Sequence, residues 1–249
     1  MRKAISYIKG LNLLARYFQV FDFTLLKGKR IALVGPADSA YNTNKGEYID
    51  GFDYIVRVNR APYIVATGKH VKDIGTRTDI LYHSFFENDE SGGGILDLDM
   101  YRKQGLKYLI NPRNSKLGYQ TSLVFFRKYN LPQPVFTLPK RLHTAICKPL
   151  GNSRPTIGFM ALMSLIEADF SELYITGFTF YRTDFGVGYR DHIQNKEDAK
   201  AYIKDMGIHE IEWEFQSFLK KLFRTKSKNV ILDPILTRII EDENNSSFK

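Results

Sequence analysis

The sequence alternates short apolar runs with longer segments of helical periodicity, and this alternation restricts the fold more than any other feature. The runs are rich in branched and aromatic residues and have the length of buried strands. Strands are predicted at 30–35, 54–58, 79–83, 107–111, 135–138, 172–178 and 230–233. Helices are predicted at 3–21, 155–168, 196–206, 209–223 and 234–241. Such an order favours an α/β fold with a mostly parallel sheet flanked by helices.

No linker or internal repeat divides the 249 residues, so we expect a single domain over 26–249, preceded by an amphipathic helix over 1–25. The apolar residues of this helix recur at helical spacing, and they are Ile5, Ile8, Leu11, Ala15 and Phe18. Basic residues lie largely elsewhere on the helix. This pattern fits equally a helix packed on the domain and a helix lying on an anionic membrane surface.

Charge and cysteine content limit the class of partner and the compartment. The chain has 36 Lys and Arg against 27 Asp and Glu, a formal net charge of +9, which favours an anionic partner. A nucleic-acid-binding protein is one alternative, although the basic residues are scattered except between 220 and 228. Because Cys147 is the single cysteine, no intrachain disulfide forms, and a reducing compartment is expected. Apolar segments are too short to span a bilayer, so we expect a cytoplasmic protein.

Polar residues follow several predicted strands, at the edge where parallel sheets bind ligands. These segments are 35–38, 59–62, 83–84, 111–114 and 177–189. Motifs for dinucleotides, P-loops, esterase nucleophiles and H-E-x-x-H zinc sites are missing from the sequence. The string Asp97-Leu98-Asp99 spells a D-x-D metal motif, but a glycine loop rather than an apolar strand precedes it. We therefore expect a site without a metal ion.

Three segments late in the sequence indicate a site for an anion. Residues 154–158 (RPTIG) open an apolar helix, whose N-terminus attracts phosphate. Tyr181, Tyr189 and His192 follow a strand and can donate to a phosphate, although a plain aromatic loop has the same pattern. His209 begins the next helix and is a natural general base near neutral pH, although a lone His at a helix start is more often a cap.

The order of these segments resembles the four motifs of the animal-type sialyltransferase family. Residues 31–79 resemble its large motif, with Val-Gly, Ile-Asp, Arg-x-Asn-Arg-Ala-Pro and a closing Asp-Ile-Gly-Thr-Arg-Thr. Residues 154–178 resemble its small motif, and His192 resembles the histidine of its third motif. His209 and Glu214 match the very small motif, H-x-x-x-x-E. Because Glu214 lies five residues beyond His209, we expect it to brace the backbone or the helix start instead of the imidazole.

The resemblance implies a single Rossmann-like domain of variant GT-A type. It also implies an inverting, metal-independent glycosyltransferase that uses a CMP-activated sugar as donor and has no cofactor. His209 would act as general base, and His192 would stabilise the departing phosphate of CMP. The candidate donor-binding residues are Gly35, Ser39, Asn59, Thr156, Ile157, Gly158, Gly177, Phe178, Tyr181 and Tyr189.

Departures from the family pattern bear on the donor and on the source. Pro36 and Ala37 stand where the family has Asn-Ser, so Asp38 or Ser39 must replace a nucleotide contact, or the contact is lost. A catalytically inert CMP-sugar-binding member is therefore a second alternative. The family's membrane span and disulfide are also missing, which points to a bacterial, algal or viral member.

The motifs concern the CMP half of the donor, so they do not distinguish sialic acid from Kdo, another CMP-activated 2-keto sugar. We expect a glycan acceptor, such as a lipooligosaccharide or lipopolysaccharide precursor, and no nucleic-acid partner. The basic N-terminal helix would then rest on the inner face of the membrane.

Overall fold

Eight strands form one parallel sheet in the computed structural model, which describes residues 2–88, 92–189, 193, 195–225 and 228–246. The strands are β1 (Phe18–Val20), β2 (Arg30–Val34), β3 (Tyr54–Val58), β4 (Ile80–Tyr82), β5 (Tyr108–Ile110), β6 (Val135–Thr137), β7 (Glu172–Thr176) and β8 (Val230–Leu232). The helices are α1 (Arg2–Tyr17), α2 (Gly46–Asp50), α3 (Ala61–Ala66), α4 (Val71–Ile74), α5 (Leu98–Lys103), α6 (Lys116–Tyr129), α7 (Lys140–Cys147), α8 (Ile157–Glu167), α9 (Lys196–Met206), α10 (Ile211–Arg224) and α11 (Pro234–Ser246).

The strand order is β1-β6-β5-β4-β3-β2-β7-β8, and every neighbouring pair is parallel. From β2 the chain adds strands in one direction as far as β6. It then crosses back and places β7 on the opposite side of β2, with Val34 beside Thr176. The predicted single α/β domain with a parallel sheet is confirmed. The reversal between β2 and β7 is where open parallel sheets form a ligand crevice.

The central strands are buried on both faces because helices cover the sheet on each side. Ile31 and Leu33 share one apolar cluster with Phe159 and Leu162 of α8. Ala32, Val34 and Ile55 belong to a second cluster with Phe52 and Ile64 on the other side. Most of α8 is buried, which explains why it is apolar around most of its circumference.

The N-terminal segment differs from the predicted helix over 3–21. Helix α1 ends at Tyr17, and the chain continues directly as β1, whose Phe18 lies opposite Val135 of β6. Aromatic and branched residues suit a strand, and the free edge of β6 supplies the backbone partners. This strand joins the N-terminal segment to the sheet.

Helix α1 packs on α6. Gly10 faces α6 so closely that a Cβ there would lie 2.3 Å from Cγ of Arg127. Leu13, Leu14 and Tyr17 pack against the core. Four apolar residues of the predicted stripe remain exposed, namely Ala15 and the larger Ile5 (47%), Ile8 (58%) and Leu11 (40%). Among the residues that the structure describes, no helix has both the length and the apolar content needed to cross a bilayer.

The charged residues of the 31–79 segment mostly hold the fold together. Arg57 is buried, and its guanidinium donates to the carbonyls of Ile74 (2.6 Å) and Arg77 (2.9 Å). The Asp50 carboxylate accepts from the amide and the hydroxyl of Thr76, each at 2.9 Å. Burial lowers the pKa of Arg57 to about 10, so the side chain stays cationic at neutral pH. These contacts fasten β3 and α2 to the 74–77 segment.

Candidate active site

A cavity of about 320 Å³ opens at the carboxyl ends of β2, β3 and β7, beside the reversal of strand order. Pro36 and Ala37 follow β2, Asn59 follows β3, and Thr179 lies beyond β7 on its wall. The first turn of α8 and the segment before α10 complete the lining. We call this space the donor cavity, after the donor-binding residues that the sequence predicts for it. Its position is the one expected for the ligand of an open parallel sheet.

Two glycines allow the backbones at the ends of β2 and β7 to touch. A Cβ on Gly35 would lie 2.2 Å from the carbonyl oxygen of Gly177 and 2.6 Å from the Phe178 ring. A Cβ on Gly177 would lie 2.4 Å from the oxygen of Gly35, and Gly177 has a φ of +73°. Both positions therefore require glycine, and Phe178 seats directly against them.

The segment 177–189 covers one side of the donor cavity and is docked on the β2 loop. Ala37 and Phe185 form an antiparallel bridge, and the amide of Gly186 donates to the Pro36 carbonyl at 2.7 Å. Phe180 and Tyr181 have φ values of 51° and 58°, which are costly for bulky residues. Packing of the Phe180 ring against Phe215 and Phe218 holds this turn in place.

His209 lines the donor cavity and is fixed by the chain before α8. Its Nδ1 lies 2.5 Å from the carbonyl oxygen of Arg154, and the Arg154 amide donates to Ile208 O at 2.7 Å. Because a carbonyl only accepts, Nδ1 carries the proton and the lone pair of the neutral imidazole is on Nε2. This tautomer is the one a general base needs.

Glu214 binds the start of α8 instead of the imidazole. Its buried carboxylate accepts from the Thr156 amide at 2.6 Å and from the Thr156 hydroxyl at 2.7 Å. The same hydroxyl accepts from the amide of Phe159 and caps the helix. Burial raises the pKa of Glu214 to about 8, against the lowering effect of both bonds. The prediction that Glu214 braces a helix start agrees with this geometry.

The wall across from β7 carries positive charge. Arg113 follows β5, and its guanidinium donates to Ser84 O at 2.9 Å and lies 5.5 Å from the Phe86 ring centroid. Arg154 lines the same cavity. Burial first, and the charge of Arg154 second, lower the pKa of Arg113 to about 10, so Arg113 stays cationic at neutral pH. An anion is the ligand that such a wall favours.

Most of the sequence-predicted residues share the donor cavity. Its lining includes Asn59, Thr156, Ile157, Gly158, Gly177, Phe178, Tyr181, Tyr189 and His209. Asn59 has a φ of 49°, and its side-chain oxygen accepts from the Ser84 amide at 3.0 Å. Gly158 also faces Phe178, since a Cβ there would lie 3.1 Å from the ring. Predicted His192 lies outside the described residues.

Two predicted donor-binding residues do not line the donor cavity. Gly35 lies beneath it, against Gly177 and Phe178. Ser39 is buried, and its hydroxyl donates to Asp233 Oδ2 at 3.1 Å. Asp38 is exposed, and its amide donates to Asp184 O. Asp38 and Ser39 lie in the short turn after β2, and neither lines the donor cavity. Neither residue therefore replaces there the nucleotide contact of the family's Asn-Ser pair.

The remaining polar candidates have structural contacts. His83 is buried, with Nδ1 accepting from the Phe85 amide at 2.9 Å and Nε2 donating to Gly93 O at 2.8 Å. Burial lowers its pKa to about 4, so it is neutral. Asp97 caps α5, and Asp99 pairs with Arg102. Within the described ranges, no group of three His, Cys, Asp or Glu side chains is placed to hold a metal ion.

Arg113 is one of the cavity residues that sequence reasoning did not select. The segment 111–114 was expected at the ligand edge, but no linear motif separates this arginine from an ordinary surface arginine. Its position beside Arg154 in the cavity wall depends on the path of the chain from β5 to α8. Only the strand order brings the two guanidinium groups to one cavity.

Comparison with known proteins agrees with this architecture. The chain aligns with a crystal structure of a mammalian sialyltransferase in complex with Gal-beta-1-3GalNAc-ortho-nitrophenol, with a TM-score of 0.53 and 15% identity over 89% of this chain and 78% of that one. A second crystal structure of a mammalian sialyltransferase gives a TM-score of 0.53 and 16% identity over 90% and 78% of the two chains. No curated protein sequence matches the chain significantly.

The fold is therefore that of a sialyltransferase-type glycosyltransferase. Residues 11–227 match the sequence profile described as glycosyltransferase family 29 (sialyltransferase). This match covers most of the chain, and the protein belongs to that family. It is a glycosyltransferase, and the resemblance drawn from the four motifs is confirmed.

Proposed function

We propose that the enzyme transfers sialic acid, or a related 2-keto sugar such as Kdo, from its CMP-activated donor to a hydroxyl of a glycan. The reaction inverts the anomeric centre and uses neither a metal ion nor a cofactor. One observation carries this proposal: His209, whose Nδ1 is held by the Arg154 carbonyl, lines the same cavity as a cationic wall and a helix N-terminus. A base and an anion site side by side are what this transfer requires.

In the proposed step, His209 Nε2 takes the proton of the acceptor hydroxyl. The hydroxyl oxygen forms the new bond to the anomeric carbon while the bond from that carbon to the phosphate oxygen breaks. The electron pair leaves with CMP, and attack from the side opposite the phosphate inverts the centre. The carbonyl of Arg154 stabilises the imidazolium, since Nδ1–H already donates to it.

Backbone amides are suited to hold the phosphate of the donor. In the first turn of α8, the amide of Thr156 is engaged by Glu214 and that of Phe159 by the Thr156 hydroxyl. For the amides of Ile157 and Gly158, the described residues supply no acceptor. Both residues line the donor cavity, so their N–H groups are available for a phosphate. His192 is proposed to stabilise the leaving CMP.

The assignment of the base is tested with His209→Ala, with His70→Ala as control. His70 stacks on Tyr41 away from the donor cavity. We expect His209→Ala to lower single-turnover release of CMP in the presence of acceptor by roughly 10²–10⁴-fold, with unchanged CMP affinity. Retained turnover in this variant contradicts the assignment, and the control is expected to keep full activity.

The donor is identified by thermal shift with CMP, CMP-sialic acid, CMP-Kdo and UDP-sugars, since a ligand of the native state raises the melting temperature. The CMP ligands are expected to stabilise the protein and the UDP-sugars are not. Stabilisation without any CMP release favours the inert alternative. Steeply salt-dependent binding to nucleic acid, with no shift by CMP, favours the nucleic-acid alternative.

We further propose that the protein is cytoplasmic, contacts the anionic inner face of the membrane through α1, and acts on a lipooligosaccharide precursor. The exposed Ile5, Ile8 and Leu11 support this contact, together with the net positive charge. Deleting α1 would uncover the core beneath Leu13 and Leu14, so Ile8→Glu is the better variant. It is expected to reduce co-sedimentation with phosphatidylglycerol vesicles, whereas Ile95→Glu, at another exposed apolar residue, is not.

A further inference from the structure

A second cavity of about 530 Å³ adjoins the donor cavity. Arg113 and Arg154 belong to the lining of both. Beyond these two arginines, the second cavity extends between the start of α6 and helix α7, past Lys116, Gln120 and His143. We call it the basic groove. Because the Arg154 carbonyl also holds His209, the groove ends next to the proposed base.

The basic groove has an uncompensated positive charge. Its described lining contains Arg113, Lys116 and Arg154 but no Asp or Glu. Within the part of the chain that the structure describes, none of these three cations lies within ion-pair distance of a carboxylate. Arg113 donates to a carbonyl, that of Ser84, which does not neutralise it.

Lys140 adds to this charge from beside the groove, whereas His143, in the lining, does not. Lys140 donates to the carbonyl of Asn114, close to the lining. Burial, followed by the charges of Lys140 and Arg113, lowers the pKa of His143. The His143 ring is thus mostly neutral at pH 7 and can accept or donate a hydrogen bond to a sugar hydroxyl. Cations in the lining of a groove favour an acidic saccharide over a neutral one.

We propose that the basic groove binds the acceptor, and that this acceptor carries a carboxylate or a phosphate close to the hydroxyl that is glycosylated. The inference rests on the proposed function, because it places the acceptor beside His209 and opposite the donor. Lys116 and the arginine pair recognise the acidic group, and Gln120, His143 and Ser153 face the sugar hydroxyls. The enzyme therefore extends glycans that are already acidic.

Direct binding tests this without relying on turnover. Methyl β-galactopyranosiduronate, galactose 6-phosphate and neutral methyl β-galactopyranoside are titrated into the CMP-saturated protein at low salt, with saturation-transfer NMR as readout. We expect each acidic probe to bind about tenfold more tightly than the neutral one. Lys116→Gln should reduce this preference severalfold, and Lys103→Gln, at an exposed lysine of α5 outside both cavities, should leave it unchanged.

Equal binding of the acidic and neutral probes would overturn the proposal, as would an unchanged preference in Lys116→Gln. The carboxylate of the donor sugar is a second acidic group of the kind that arginine side chains bind. If Arg154→Gln weakens CMP-sialic acid relative to CMP while the probe preference is unchanged in both Arg154→Gln and Lys116→Gln, the basic residues read the donor, and the acceptor proposal is also overturned. Failure of the proposed function has a different signature, namely no binding of CMP at all.

Discussion

The buried carboxylate of Glu214 accepts hydrogen bonds from both the amide and the hydroxyl of Thr156, at 2.6 and 2.7 Å. This pair joins the first turn of α10 to the first turn of α8. In the segments just before these two helices, the Nδ1 of His209 is hydrogen-bonded to the carbonyl oxygen of Arg154. These hydrogen bonds consequently link the proposed base to the helix N-terminus in the lining of the donor cavity.

Glu214 is expected to make stability depend on pH in the neutral range. Its pKa is about 8 in the folded protein against an ordinary 4.5, because burial disfavours the charged form. Between these values the folded state keeps a proton that the unfolded state has lost. Stability therefore falls as pH rises through this range, by about 1.4 kcal/mol per pH unit. Glu214→Gln should remove this slope, as measured by urea unfolding from pH 5 to 8.

The control for this experiment is Glu197→Gln, at an exposed glutamate in the first turn of α9. Its pH profile should match that of the wild type. An unchanged slope in Glu214→Gln would mean that the buried carboxyl does not bind the extra proton.

His83 is expected to produce the opposite dependence at lower pH. Burial lowers its pKa to about 4 from an ordinary 6.5, so the unfolded state binds the proton first as pH falls. Stability is then lost as pH falls from about 6.5 to 4. His83→Gln should flatten this part of the unfolding profile, although it loses the bond from the Phe85 amide and some stability at pH 7. His70→Gln should keep the acid-sensitive profile, and the same profile in His83→Gln would refute the assignment.

Arg57 is expected to contribute to stability without contacting substrate. Arg57→Ala leaves the buried carbonyl of Ile74 and the partly buried carbonyl of Arg77 without this donor, which costs about 3 kcal/mol. Arg57→Lys should recover only part of this loss, since a single ammonium cannot reproduce the planar fork. Chemical denaturation measures both. Arg102→Ala, which removes an exposed pair with Asp99, should cost under about 1 kcal/mol, and a comparable loss in both alanine variants would argue against this role.

Gly35 is expected to tolerate no side chain. In Gly35→Ala the methyl group meets the Gly177 oxygen at 2.2 Å, so β2 and β7 must separate and Phe178 must move. We expect a loss of about 1–3 kcal/mol in stability and weaker CMP binding by calorimetry. Gly51→Ala is the matched control, because its Cβ would lie 3.3 Å from the nearest atom, with a φ of −78°. Full CMP affinity in Gly35→Ala would contradict the close approach.

The strands of the sheet were predictable because parallel strands are buried on both faces and therefore form continuous apolar runs. All seven predicted strands are present with nearly the predicted bounds, as for Tyr54–Val58. Strand β1 was not predicted, since Phe18–Val20 continues an apolar helical pattern and becomes a strand only through the edge of β6. Six helices, α2 to α7, were also missed. In α2, α3, α4 and α5, four to six residues are too few to show a period, whereas α6 and α7 were not predicted although they have 14 and 8 residues.

The candidate site was predictable where local chemistry carried the signal. The RPTIG helix start, Asn59 after a strand and His209 before a helix each occupy the donor cavity. Ser39 differs, because its bond to Asp233 joins residues far apart in the chain. Arg113 and the basic groove were also beyond prediction, since they arise from the packing of α6 and α7 beside α8 rather than from any local pattern.

The strand order has a consequence for how the protein is made. Phe18 pairs with Val135, which lies far along the sequence. One edge of β2 stays unpaired until β7, at Glu172–Thr176, has been synthesised. During synthesis the central apolar strands thus emerge from the ribosome long before their last neighbours exist. A nascent chain of this topology carries unpaired strand edges until β7 has been made, and such edges favour association with other chains.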